Sequence, residues 1–254
     1  MNDYPDLLKI DTEQKTEELV KRLKEVFQGK GFSKAVIGLS GGIDSASCAC
    51  LLEKALGREN VKAFIMPYNG QDASDAEEIA RMLGIKTETV DITPMVDAYF
   101  SCFPDADRVR RGNKMARERM SILYDRSREH KALVVGTGNK TEISLGYFTQ
   151  HGDGACAVAP LASLYKTQLI QLARFLGVPS SIIEKKPSAG LWEGQTDEDE
   201  IGAPYVQLDL VLFYLELGKS VDEIVEEGID RSVVELVRER IKRNKFKLEG
   251  PVLL

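Results

Sequence analysis

The sequence predicts a doubly wound α/β fold, a parallel sheet flanked by helices, with a mostly helical C-terminal part. Three observations carry this. Short apolar runs recur at 35–39, 61–66 and 132–135, with a further strand expected at 85–90; amphipathic stretches of helical period separate them; and beyond Gly146 helical stripes replace the runs. Strands that alternate with helices form parallel units buried on both faces, so each strand reads as a continuous apolar run.

Taken in order, residues 12–28 place Leu19, Val20, Leu23, Val26 and Phe27 at helical spacing on one face, as in a covering helix. The run 35–39 ends in Ser40-Gly41-Gly42, and helix resumes after Asp44. A second strand at 61–66 leads to a helix over 74–83, with Ala76, Ile79, Ala80 and Leu83 on one face, and a third strand follows at 85–90. A charged loop around 104–112 precedes a helix over 113–128 and the fourth strand. Three later stripes, built on Leu169 and Leu172, on Leu208 and Leu212, and on Val233 and Val237, predict helices whose apolar faces serve as core or interface. Between 187 and 202 runs an acidic, Gly-containing stretch, readable as a solvated loop or as a lid that orders over substrate.

Composition narrows the function classes. A chain of 254 residues is enough for one α/β domain. Its net charge of -6 argues against a general nucleic-acid binder, which needs a basic face to neutralise phosphates. Neither a secretory leader nor a run long enough to cross a bilayer is visible, so the expected compartment is the cytoplasm. Cys48, Cys50, Cys102 and Cys156 lack metal-ligand spacing and read as buried reduced thiols, and His130 reads as a surface residue.

In a doubly wound sheet, ligands sit beyond the carboxyl ends of the strands. Four loops qualify, beginning at Ser40, Pro67, Asp91 and Gly136. The first, Ser40-Gly41-Gly42-Ile43-Asp44-Ser45, follows a strand and opens a helix, so backbone N–H groups and the helix dipole converge on an anion. It is not a Walker A loop, because no Lys-Ser or Lys-Thr follows a second glycine at the required interval.

The loop resembles the pyrophosphate loop of the N-type ATP pyrophosphatases, and further segments resemble one branch, the ammonia-dependent NAD synthetases. They include Gly112-Asn113-Lys114-Met115-Ala116-Arg117-Glu118-Arg119-Met120, Gly136-Thr137-Gly138-Asn139-Lys140-Thr141-Glu142, Gly152-Asp153-Gly154, Tyr165-Lys166-Thr167-Gln168 and Lys186-Pro187-Ser188-Ala189. The resemblance implies an adenine nucleotide alpha hydrolase-like, Rossmann-like fold forming a single domain over 1–254 without a glutaminase domain, so that free ammonia is the nitrogen donor. It further implies ATP as co-substrate, Mg²⁺, deamido-NAD as the acid that is adenylated and then amidated, and a homodimer. By residue, it implies that Gly38, Leu39, Ser40, Gly41, Gly42, Ile43, Asp44 and Ser45 bind ATP phosphates and that Asp44 and Glu142 hold Mg²⁺. Thr137, Lys166 and Ser188 contact ATP, and Arg117, Asp153 and Lys247 contact deamido-NAD. Asp44, Glu142 and Lys166 form the implied catalytic set.

The chain departs from many such enzymes at Gln150, Ala157 and Phe246, where they carry Lys, Asp and His. Tyr147, Phe148 and Trp192 are candidates to stack on a ring, with core packing the default for Phe148. His151, beside Gly152-Asp153, is within sequence reach of the reacting centre, but adenylation rests on electrostatics more than on a base. Two other readings fit the pyrophosphate loop alone: a different ligase of the superfamily, and a non-catalytic nucleotide-binding module.

Overall fold

The computed structural model describes residues 4–192 and 194–250. Its strands are β1 (Ala35–Gly38), β2 (Val61–Ile65), β3 (Lys86–Thr89) and β4 (Leu133–Val135), all parallel, in the order β3-β2-β1-β4. From β1 the chain moves outward to β2 and β3, then returns to β4 on the other side. The connections leaving β1 and β4 therefore diverge, which opens a crevice at their carboxyl ends.

Around the sheet run α1 (Thr12–Gly29), α2 (Ile43–Leu56), α3 (Ser74–Leu83), α4 (Thr93–Phe100), α5 (Arg108–His130), α6 (Lys140–Leu145) and α7 (Lys166–Phe175). The helical C-terminal part continues with α8 (Ser180–Ile183), α9 (Asp197–Ile201), α10 (Tyr205–Glu216), α11 (Val221–Glu226) and α12 (Arg231–Asn244). Successive strand side chains point to opposite faces, so one sheet feeds two cores. Ile37, Ala63 and Val135 pack with α1, α2 and α7, whereas Val36, Phe64 and Val134 pack with α4 and α5. A third core joins Leu145 and Tyr165 to Leu208, Val211, Leu212, Val234 and Val237.

The α/β class is as predicted, with local differences. In α1 the buried row is Thr16, Leu19, Leu23 and Phe27, while Val26 is exposed because it lies about 100° round the helix from Phe27. Helix α5 begins at Arg108, ahead of the predicted 113, because Asp107 accepts the Arg110 N–H at 2.8 Å and caps it. Gly112 thus lies inside a helix. A Cβ there would stand 3.0 Å from Leu191 Cδ1, so glycine lets the 188–192 segment rest on α5. The acidic stretch is not simply a solvated loop: Thr196 caps α9, and Asp197 is buried. Cys48 and Cys50 are buried as expected, but Cys102 is exposed in the turn after α4. His130 is half-buried, its ring 6.2 Å from Phe64, because the end of α5 lies on the β2 face. The late stripes turn out to be core, with Val233, Leu236 and Ile241 only partly buried at its margin.

Candidate functional site

The strand ladder continues one residue past β1, where Leu39 N–H donates to Phe64 O at 2.9 Å, and then releases the chain into the glycine loop. Gly41 has φ +79°, and a Cβ on it would lie 2.9 Å from Asp75 Cβ, so only glycine suits the position. Ser45 is buried and turned inward. Its hydroxyl accepts from Ser40 N at 3.2 Å and donates to Gly42 O at 3.0 Å, pinning the loop while the first N–H groups of α2 stay open to the crevice. Gly41→Ala is expected to destabilise the protein by about 1–3 kcal/mol, read by denaturant unfolding, because a non-glycine side chain is strained there and also meets Asp75.

Across the crevice, the loop after β4 opens α6 with a reciprocal cap. The Asn139 side chain accepts Glu142 N–H at 3.0 Å, and Glu142 Oε2 accepts Asn139 N–H at 3.3 Å. The same Asn139 donates its amide to Asp44 Oδ1 at 2.8 Å, which joins the two lips of the crevice. Lys166, the first residue of α7, is 1% exposed; its Nζ lies 2.5 Å from Asp44 Oδ2 and 3.3 Å from Glu142 Oε1. Burial alone would depress the lysine pKa, but Asp44 and Glu142 more than offset it and hold the ammonium charged. For Glu142, burial first and Asp44 second outweigh the ammonium and push its pKa to about 8.

A lysine at a helix N-terminus opposes the dipole. The fully buried Asp209 of α10 answers this, accepting Thr141 Oγ1 at 2.5 Å and Thr167 N–H at 2.8 Å, while Lys166 N–H donates to Thr141 Oγ1 at 2.9 Å. On the other flank Asp197 accepts the hydroxyls of Tyr205 and Tyr147 at 3.1 and 3.2 Å, and the Tyr205 ring lies 5.3 Å from Lys166 Nζ. Asn139, Asp197 and Asp209 were not singled out in sequence. Asp209 had one legible signal, a lone acid inside the apolar run Leu208-Asp209-Leu210-Val211-Leu212.

Asp44, Glu142, Tyr147 and Asp197 face a cleft of about 700 Å³. Of the residues named from sequence, Gly38 to Asp44, Thr137, Glu142, Asp153, Ser188 and Lys247 line it, as do the ring candidates Tyr147, Phe148 and Trp192. Lys166 sits behind Asp44 and Glu142, and Ser45 lies beneath the loop. Arg117 stands apart from the lining, exposed, with its Nε donating to Gln150 O at 3.2 Å. Arg119, two residues on, does line the cleft. Lys247 donates to Gly146 O and Phe148 O at 2.7 and 3.0 Å, so it also ties the turn after α12 to the 146–148 turn. Of the four loops named from sequence, those after β1, β2 and β4 border the cleft. The loop at Asp91 does not, because β3 is the far edge strand and Asp91 caps α4 through Thr93.

Mg²⁺ takes oxygen ligands and keeps several waters, so two carboxylates beside a phosphate cradle suit it. Among the described residues no group of three or more His, Cys, Asp or Glu side chains is arranged to hold a metal alone. Asp44 and Glu142 thus fit an ion whose remaining ligands are phosphate oxygens and water.

An anion cradle at the switch point of a parallel sheet, facing two carboxylates bridged by a buried lysine, defines an α/β nucleotide-binding protein equipped for phosphate chemistry. A family model described as NAD synthase matches residues 15–251, and the chain belongs to that family. It is 52% identical over 240 residues, 93% of each chain, to the NH(3)-dependent NAD(+) synthetase of Fusobacterium nucleatum, and 45% identical over 93% of each chain to that of Pyrococcus furiosus. Among solved structures, it is similar to an NMN synthetase from Francisella tularensis, with TM-score 0.86 and 35% identity, covering 97% of this chain and 99% of that one. It is also similar to an NH3-dependent NAD synthetase from Campylobacter jejuni in complex with the nitrate ion, with TM-score 0.83, 33% identity and coverage of 97% and 100%.

Proposed function

We propose that this chain is an ammonia-dependent NAD synthetase: it adenylates the nicotinate carboxylate of deamido-NAD with ATP, releases pyrophosphate, and lets ammonia displace AMP to give NAD. The observation that carries the reading is the meeting of Asp44, Glu142 and Lys166 opposite the open N–H groups of the glycine loop. The cradle holds the β and γ phosphates as the leaving group. Adenylation develops charge on the α phosphate and the departing pyrophosphate, and fixed positive charge and N–H dipoles stabilise it without reorganising. Asp44 and Glu142 hold Mg²⁺, which when bound neutralises phosphate charge. Lys166, locked by its two carboxylates, keeps them in register and adds its own charge; Thr137 and Ser188 contact ATP, and Asp153 and Lys247 contact the second substrate. Arg117 contacts the second substrate from outside the cleft lining, across a subunit boundary.

With ATP, Mg²⁺, deamido-NAD and ammonium supplied, NAD, AMP and pyrophosphate are expected in equal amounts. ADP and orthophosphate in place of AMP and pyrophosphate would contradict adenylation. The mononucleotide acid offered in parallel tests whether the chain makes NMN, the product named for the Francisella enzyme. A different ligase of the superfamily would leave both acids untouched, and a binding module would leave ATP intact. Among the described residues no helix is long and apolar enough to cross a membrane, and the proposed compartment is the cytoplasm.

The working unit in this reading is a homodimer. The late helical stripes lie in the internal core, but α4 exposes Met95 and Tyr99, with the Phe103 ring tilted 5.2 Å from that of Tyr99, on the layer that carries Arg117. Light scattering across a dilution series should report a dimer at assay concentrations, with deamido-NAD binding lost on dissociation and ATP binding retained. A fully active monomer would contradict it.

A further inference from the structure

The cleft wall at the end of β2 carries a cation that the chemistry above does not use. Arg119 projects from α5 to the carboxyl end of β2, where its Nε donates to Met66 O at 3.0 Å and its Nη2 to Gln71 Oε1 at 3.1 Å. Both partners are neutral. Among the described residues no carboxylate pairs with it, and loss of solvent alone lowers its pKa to about 10. Taking a guanidinium out of water without a counter-charge is unfavourable, and such groups persist where a ligand supplies the missing partner. The same cleft has apolar lining in Leu39, Met66, Ala76 and Val135, which suits a planar base.

Gln71 extends the contact. Its Oε1 also accepts Tyr68 N–H at 3.1 Å, and its Nε2 donates to Gly190 O at 2.7 Å. Gly190 N–H in turn donates to Ser188 Oγ at 3.1 Å. One glutamine therefore connects the arginine to the segment that carries Ser188.

We infer that Arg119 is a nucleotide-binding residue, donating its remaining N–H groups to ATP, and that Gln71 is a positioning residue that aims this guanidinium and holds the 188–190 segment against the same ligand. The inference rests on the reading of this cleft as the ATP site, and its test needs neither the second substrate nor turnover.

Arg119→Met retains the length of the side chain and removes the charge. Since no carboxylate depends on Arg119 and Gln71 Oε1 keeps the Tyr68 N–H, the ATP-free variant should melt close to the wild-type temperature. Its ATP-dependent rise in melting temperature should be lost, with ATP binding by calorimetry weakened at least about tenfold. Arg119→Lys should show most of the same loss, because an ammonium cannot reproduce the fork. Gln71→Ala should weaken ATP about threefold to tenfold and increase protease cleavage within 187–196 in the presence of ATP. A variant at 119 that melts well below wild type yet keeps its full ATP response would make Arg119 structural and overturn the inference, as would wild-type ATP affinity in Arg119→Lys. A wild-type protein that ATP fails to stabilise would overturn the ATP reading itself, a separate and recognisable failure.

Discussion

Replacing Lys166 by methionine is expected to lower kcat/KM by roughly a thousandfold or more and to destabilise the metal-free protein by about 3–5 kcal/mol. Two effects combine. The ammonium is 1% exposed and is the counter-charge for Asp44 at 2.5 Å and Glu142 at 3.3 Å, so its loss leaves Asp44 without its charged partner and drives Glu142 further toward its protonated form. The lips of the crevice are then joined by the Asn139–Asp44 hydrogen bond without the lysine bridge. Denaturant unfolding with and without Mg²⁺ separates fold from chemistry: the divalent ion should restore part of the lost stability, because it replaces the missing positive charge, but not the activity. A Lys166→Met protein with near-normal kcat/KM would remove the lysine from the chemistry.

Glu142→Gln, the second large effect, should lower kcat/KM about a hundredfold, a loss of about 2.7 kcal/mol in transition-state stabilisation, while the fold is retained. The amide keeps shape and hydrogen-bonding capacity and loses one charge. Stability should respond to pH in a stated direction. Glu142 has its pKa raised from 4.5 to about 8 in the folded protein, so between those values the folded state keeps a proton that the unfolded state has released. Metal-free wild type should therefore lose stability, relative to Glu142→Gln, as pH rises from about 4.5 to about 8, with no further relative loss above that. Saturating Mg²⁺ should flatten the difference, since the ion favours the ionised carboxylate. Near-normal turnover of Glu142→Gln at ordinary Mg²⁺ would place the carboxylate outside the site.

The parts of this molecule that sequence made legible are those where one local pattern has one physical solution. Strands buried on both faces must be continuous apolar runs, which is why β1, β2 and β4 could be read from 35–38, 61–65 and 133–135. A strand, a Ser-Gly-Gly turn and a helix start likewise leave little for the loop to be but an anion cradle. The meeting of Asp44 with Lys166, 122 residues apart, is set by where the sheet reverses, and in sequence it was reachable only through resemblance. Ser45 could be named as part of the loop, but not that its hydroxyl turns back onto Gly42 O. Arg117 and Arg119 look alike in sequence, and which of them reaches the cleft depends on how α5 lies on β1 and β2. Gly112 misled because a glycine inside a helix usually marks an end, whereas here it makes room for Leu191. Asp197 and Asp209 hid for another reason: an acid in a helix is normally solvated, and only the packed structure brings Tyr205, Thr141 and Thr167 to them.

The central claim is that a carboxylate oxygen of the substrate attacks the α phosphorus of ATP. Deamido-NAD labelled with ¹⁸O in its nicotinate carboxylate tests this most directly, because the bond broken when ammonia displaces AMP leaves one carboxylate oxygen on the nucleotide. After turnover with ATP, Mg²⁺ and ammonium, mass spectrometry should find one ¹⁸O in each AMP, one in the amide of NAD and none in pyrophosphate. Unlabelled AMP, or label in pyrophosphate or orthophosphate, would contradict the account.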